Sequence, residues 1–299
     1  MIEEELVKKL GFNKVKINEP LASHVYMKVG GPADFYYEAT DARELTEAIK
    51  VAIKTSTTFV ILGNGSNVLI SDKGVRGLVI KNNAKEVKFL PHGFVEVDSG
   101  VENAALITAA KNRGLTGVER LIKVPGTVGG AVFMNAGDTV RQEFFGDLVV
   151  LVEIIDGQGN VKKLRKEDCW FGYRVSRFQT SGEIILKVKL QLKQATKEEI
   201  ESKAKDILVR KVQQPPGPTL GSTFKNPPDN FAGKLIEEAG LKGKQVGGAK
   251  ISEKHANFII NTGCATASDV KALIELMKSE VKKKFGINLE GEIRYLGEW

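Results

Sequence analysis

The chain has 299 residues, 42% of them hydrophobic and 27% charged, which suits a folded soluble protein of two or three domains. No apolar run approaches the roughly 18 residues of a membrane-spanning helix, and the only two cysteines, Cys169 and Cys264, form neither a disulfide framework nor a zinc spacing, so a cytoplasmic, metal-free protein is expected. The net charge of +7 is spread along the chain and aromatics make up only 7%, which argues against nucleic acid and leaves anionic small molecules as partners.

The N-terminal MIEEELVKKL is acidic and amphipathic, unlike a secretory signal. DFYYEA (34–39) reads as a strand. Residues 42–54 carry a helical stripe of Leu45, Ala48, Ile49 and Ile53, and TFVIL (58–62) is the next strand. This β-α-β unit is expected to be parallel and right-handed. From about residue 75, GLVIKN, EVKFL and FVEVDS lie close together and predict an antiparallel or mixed sheet. An alanine-rich helix (101–112) is next, then a glycine-rich stretch (125–137), then strands in LVVLVEIID and EIILKVKLQLK (183–193).

Thr196 and Glu199 have capping-box form and open a helix to about Val212, which QQPPGP (213–218) ends. Ser268 is expected to cap a helix with Val270, Leu273, Ile274, Met277 and Val281 on one face. That helix ends before Gly286, where KKK (282–284) suits the macrodipole. The last strand is expected over 288–296.

Two glycine segments carry the functional signal. In LGNGSN, Gly63 and Gly65 fit the first two positions of a dinucleotide fingerprint, but Val68 holds the third and no helix succeeds it. That leaves a small-residue loop able to form an anion nest, with Asn64, Ser66 and Asn67 adding side-chain donors. A plain turn is the alternative. In PGTVGGAVFMNAG (125–137), Gly126, Gly129 and Gly130 permit close backbone approach. Two such loops suggest an extended diphosphate ligand lying between two domains.

LGNGSN (62–67), VPGTVGGAVFMNAG (124–137), FGYRVSRF (171–178), GSTFKNP (221–227), AGKLIEEAGLKG (232–243), GGAKISEKHANFIIN (247–261) and LEGEIRYLG (289–297) occur in this order. Together they resemble the UDP-N-acetylenolpyruvoylglucosamine reductase (MurB) family over nearly the whole chain. Only QTSGE separates GYRVSRF from the next strand, as in the short form, which lacks the tyrosine loop that closes over the nucleotide.

The resemblance implies an α+β, three-domain flavoprotein. A two-part FAD-binding region of the PCMH (vanillyl-alcohol-oxidase-like) type would comprise residues 1–75 and 76–195, the latter joined by the C-terminal strand 289–299. An α+β substrate-binding domain would span 196–288. It implies noncovalent FAD, reduction by NADPH, and UDP-GlcNAc-enolpyruvate as substrate for a monomeric cytoplasmic enzyme. The implied cofactor-binding residues are Gly63, Asn64, Gly65, Ser66, Asn67, Pro125, Gly126, Thr127, Gly129, Gly130, Ala131, Asn135 and Gly137.

The implied chemistry is reduction of a polarised double bond, in which charge develops toward the substrate carboxylate. Arg174 matches the family's catalytic arginine, always charged and able to hold a carboxylate bidentately. Ser222 matches the proton donor and Glu292 the catalytic carboxylate. Glu290 competes with Glu292, because residues two apart on a strand share a face. Tyr173, Asn226 and His255 match substrate-side positions. His24, His92 and His255 sit in no hydrolase motif. Two other readings are another noncovalent flavin oxidoreductase of this fold and a non-enzymatic nucleotide-binding protein.

Overall fold

A computed structural model describes residues 2–299, and Met1 lies outside it. Contacts divide the chain into two compact units. The first comprises residues up to Ile17, Phe35–Asn64 and Gly77–Lys211; the second comprises Asn18–Asp34, Gly65–Arg76 and Val212–Trp299.

Most of a four-stranded sheet belongs to the first unit. Its strand order is Val15–Pro20, Pro32–Ala39, Val75–Asn82, Phe59–Leu62. In the helix Ala42–Lys54, Leu45, Ala48 and Ile49 of the expected stripe are buried, Ile53 is partly buried against the same core and Ala52 joins them; the Asp41 side chain caps the helix by accepting from the Glu44 N–H. Burying these side chains contributes roughly 1.5–3 kcal/mol for each large aliphatic one. The expected β-α-β pair is split by Val75–Asn82, which runs parallel to Phe59–Leu62 with Phe59 opposite Leu78. GLVIKN therefore belongs to this sheet and not, as its spacing predicts, with EVKFL and FVEVDS. Gly77 explains the difference: a Cβ there would lie 2.2 Å from the Thr58 carbonyl oxygen, so only glycine lets this strand enter the first sheet.

The second sheet of this unit is antiparallel and five-stranded: Val161–Arg165, Val149–Ile155, Ile184–Gln191, Phe94–Asp98, Val87–Phe89. Val95, Val97, Val152, Ile154, Val188 and Leu190 form its buried face and pack with Leu106, Val128, Val132 and Phe145. The helix Lys197–Arg210 has the predicted Thr196–Glu199 capping box. It groups with the first unit, although a domain spanning 196–288 is expected from the sequence. Lys111–Glu201 and Lys203–Thr116 contacts hold it there.

In the second unit, the helix Ala267–Phe285 buries Val270, Leu273, Ile274, Met277 and Val281 against Met27, Leu69, Leu235 and Ile259. Its cap is Thr266, paired with Asp269 in a capping box, not Ser268. The Ser268 hydroxyl donates instead to Asp72, whose carboxylate also receives the Ala267 and Ser268 N–H groups. Gly286 ends the helix in the left-handed conformation. The C-terminal strand is shorter than expected, Arg294–Leu296. It pairs in parallel with Val68–Ile70 and does not join the central sheet, because Val68–Ile70 presents its ladder groups to it.

Candidate active site

In the first unit, the candidate residues gather around two segments. The Gly63 carbonyl accepts from Lys81 Nζ at 2.6 Å, and the Asn64 side-chain oxygen lies 3.4 Å from the same ammonium. A Cβ on Gly63 would sit 2.8 Å from Thr127 Oγ1, so glycine is what lets the two glycine segments approach. Among the described residues, the N–H groups of Gly63 and Asn64 enter none of the main-chain hydrogen bonds outside helices and strands. They remain as donors beside a fixed cation.

The second segment differs. Val128–Phe133 is a short helix, where the sequence suggests a loop. Its first N–H groups are engaged by the protein: Val128 by Val101 O and Gly129 by Ser99 O, both at 2.8 Å, and Gly130 by the capping Thr127 Oγ1 at 3.3 Å. Gly129 serves close packing, since its Cβ would lie 2.9 Å from that of Ser99. Ala131 is buried in the core, Gly130 and Pro125 are exposed, and Gly137 starts a two-residue strand paired with Glu143–Phe144.

Asn135 is buried and joins the helix end to the turn that carries Tyr173 and Arg174. Its Nδ2 donates to Gly172 O and its Oδ1 accepts from Gly146 N, both at 2.8 Å. Gly172 and Val175 close a tight turn by mutual main-chain bonds, which presents Tyr173 and Arg174. Arg174 holds a left-handed φ of 56°, an uncommon conformation for a side chain of this size, stabilised here by its surroundings. Gln179 Nε2 donates to Arg174 O and to Phe133 O, bracing the turn. The guanidinium lies 5.6 Å from the Tyr173 ring and donates to Asn135 O at 3.5 Å. Lys211 is near this cluster and donates to Ile122 O at 2.7 Å. Burial pushes its ammonium down to about 8, with Arg174 and Arg210 adding to the effect and Asp138 opposing it.

In the second unit, Ser222 and Glu292 come together through the backbone. The segment after Ser222 lies between 290–292 and Asn257. Glu292 N–H donates to Thr223 O and Lys225 N–H to Glu290 O, both at 2.9 Å. The structure separates the two competing carboxylates. Glu290 is exposed and paired with Lys225 at 2.5 Å, whereas Glu292 is half-buried. The Glu292 carbonyl accepts from the side chain of Asn67, a residue expected to contact the cofactor, at 2.9 Å. Gly65 O accepts from Tyr26 N at 3.4 Å, and Ser66 is half-exposed. Asn226 Oδ1 accepts the Ala232 N–H at 3.1 Å and so helps start the helix Ala232–Glu238. His255 is half-buried, and its Nδ1 accepts from Asn257 N at 3.2 Å. Burial, helped by Lys242, lowers its pKa, which favours the neutral ring with the proton on Nε2.

Residues 33–165 match the family described as FAD binding domain, and residues 210–296 match the UDP-N-acetylenolpyruvoylglucosamine reductase, C-terminal domain. The UDP-N-acetylenolpyruvoylglucosamine reductase of Carboxydothermus hydrogenoformans is 41% identical over 99% of this chain and 98% of its own length. That of Caldanaerobacter subterraneus subsp. tengcongensis is 39% identical over 100% and 99%. The chain belongs to the UDP-N-acetylenolpyruvoylglucosamine reductase family. Its structure matches that of the Thermus caldophilus reductase with a TM-score of 0.81, 35% identity, and coverage of 95% of this chain and 98% of that one. The fold is thus the α+β flavoprotein fold of this reductase family, with an FAD-binding part and a family-specific C-terminal part.

The residues fit the flavin cofactor that this reductase family implies. Gly63 offers a cradle that any side chain would fill, and the unengaged N–H groups of Gly63 and Asn64 stand beside the Lys81 ammonium. That donor set suits a diphosphate. Sequence reasoning missed Lys81, Gln179, Lys211 and Asn257. Lys81 lies within GLVIKN and Asn257 within GGAKISEKHANFIIN, but neither spacing marks a ligand.

Proposed function

We propose that the protein reduces UDP-GlcNAc-enolpyruvate to UDP-N-acetylmuramate, a step of peptidoglycan precursor synthesis, using NADPH as reductant and noncovalent FAD. Membership of the reductase family over the whole chain is the observation that carries this reading. When bound, FAD supplies the relay of two electrons from NADPH to the substrate double bond. The N–H groups of Gly63 and Asn64 hold its diphosphate, with Lys81 providing the opposing charge.

Arg174 holds the substrate carboxylate and stabilises the negative charge that accumulates there during reduction. Its turn, braced by Asn135 and Gln179, keeps the guanidinium from reorganising as that charge grows. Ser222 gives its hydroxyl proton to the carbon adjacent to the carboxylate. Glu292 is the carboxylate that polarises the intermediate. Tyr173, Asn226 and His255 contact the substrate. The part that matches the FAD binding domain, residues 33–165, serves the cofactor, and the C-terminal part, residues 210–296, serves the substrate. The enzyme works as a cytoplasmic monomer without nucleic acid; among the described residues no helix is long and apolar enough to cross a membrane.

The test is NADPH oxidation by the FAD-loaded protein with and without UDP-GlcNAc-enolpyruvate. The UDP-sugar should accelerate turnover and Glu292→Gln should abolish that acceleration. A rate indifferent to the UDP-sugar would overturn the reading.

A further inference from the structure

We propose that Asn257 is the positioning residue of the Ser222–Glu292 pair; the inference rests on the catalytic reading of those two residues. Asn257 is 3% exposed and flanks the segment just after Ser222. Its carbonyl accepts the Thr223 N–H at 2.8 Å. Its side chain repeats the pattern one residue on: Oδ1 accepts the Phe224 N–H at 3.0 Å and Nδ2 donates to Phe224 O at 2.8 Å. One amide thereby stands in for a neighbouring strand. The roles also fix the amide orientation, since only the oxygen meets an N–H and only the nitrogen meets a carbonyl.

On the other flank, Glu292 N–H bonds Thr223 O, and Phe224 forms a bridge to Gly291. Residues 223–225 are therefore the middle of a three-part ladder, with the glutamate on one side and Asn257 on the other. Upstream, the chain turns at Gly221, with φ of 74° and no neighbour within 4 Å of where a Cβ would be. Before that turn Thr219 bridges Ile260, so Ser222 lies between this bridge and the bonds that begin at Thr223. Asn257 is itself held rigidly. Its N–H donates to His255 Nδ1, the Phe258 N–H to His255 O, and the Ser252 hydroxyl accepts the Lys254 and His255 N–H groups. Each partner of the Asn257 amide is a main-chain atom of Phe224, so its removal loosens the segment that follows Ser222 and leaves no charge exposed.

Positioning to within about an ångström governs proton transfer, and such a displacement is worth on the order of 100-fold in rate. The experiment is rapid mixing of the FAD-loaded protein, monitoring flavin reduction by NADPH and, separately, reoxidation by UDP-GlcNAc-enolpyruvate. Asn257→Ala should slow reoxidation at saturating substrate by about 10- to 100-fold. Flavin reduction should remain within about twofold of wild type, because only reoxidation uses the Ser222 proton; equal losses in both phases would mark a merely structural role and overturn the proposal. Asn257→Asp keeps the acceptor for Phe224 N–H and loses the donor; it gives the same split should the alanine variant not fold. In a Ser222→Ala background, Asn257→Ala should add little further loss, since residues acting as one unit are not additive. If Ser222→Ala slows reoxidation but Asn257→Ala or Asn257→Asp leaves it at the wild-type rate, the positioning role is wrong. If Ser222→Ala itself leaves reoxidation unchanged, the catalytic reading fails instead.

Discussion

The two units hold their candidate residues by different means. In the first, Arg174 sits on a strained turn kept in place by side chains, with Asn135 and Gln179 reaching to its main chain. In the second, the segment that follows Ser222 is tied to Glu292 by a main-chain bond and to Asn257 by main-chain bonds and one buried amide. A long cation held against an anionic substrate needs its base fixed, while its own reach absorbs small errors. A short hydroxyl has no such reach, so the backbone itself must be located. This difference predicts that damage in the first unit shows as weakened binding and lost charge stabilisation, and damage in the second as a failure of the proton step.

The largest effect expected within this contrast is at Arg174. Arg174→Ala should lower the rate of flavin reoxidation by about 10²–10³-fold, the usual consequence of removing a charge-stabilising donor. Arg174→Lys should recover only part of it, because an ammonium cannot hold a carboxylate bidentately. Full recovery in single-turnover kinetics would refute the bidentate role.

Gly63→Val comes next. Overpacking against Thr127 costs about 1–3 kcal/mol, so FAD affinity should fall about 5- to 150-fold in a fluorescence titration of the apoprotein. Activity at saturating FAD should suffer less. A variant with unchanged FAD affinity and lost activity would blur the division between the units.

Lys211 gives a pH-dependent test of the first unit. The folded state holds its pKa near 8, against an ordinary lysine value of 10.5. Between those values the unfolded chain binds more protons, so stability should rise with pH across that window, and the penalty for the buried ammonium is fully present below about 8. The rise attributable to this group is roughly 1–3 kcal/mol, and Lys211→Met should remove it in denaturant melts taken at several pH values.

The smallest effect is reserved for Glu290. Its carboxylate is exposed, although its partner Lys225 is largely covered, and a pair open to water on one side is worth about 1 kcal/mol or less. Glu290→Gln should leave turnover near wild type while Glu292→Gln does not; the opposite result would exchange the two carboxylates.

Much of the molecule is legible in the chain. The stripe in 42–54, the Thr196–Glu199 box and the alternation in 184–191 occur where local pattern and burial agree. The helix 128–133 is hidden because glycine has low helix propensity, and only Thr127 announces it. Threonine and serine both suit caps, which is why Ser268 competes with Thr266; Asp269, three residues beyond Thr266, is the deciding signal. Non-local facts leave no trace in the sequence: Asp72 receiving a helix start about 195 residues later, Asn67 serving Glu292, and the left-handed φ of Arg174. The glycine strings are equally conspicuous, yet one has its donors engaged by the protein and the other does not. Composition alone does not separate them.

The most direct measurement is the pair of half-reactions in Ser222→Ala, monitored by rapid mixing of the FAD-loaded protein. Flavin reduction by NADPH should proceed at nearly the wild-type rate, while reoxidation by UDP-GlcNAc-enolpyruvate falls by about 10²–10⁴-fold, the range for loss of a general acid. Equal losses in both half-reactions, or an unchanged reoxidation rate, would contradict the assignment of the proton step to the second unit.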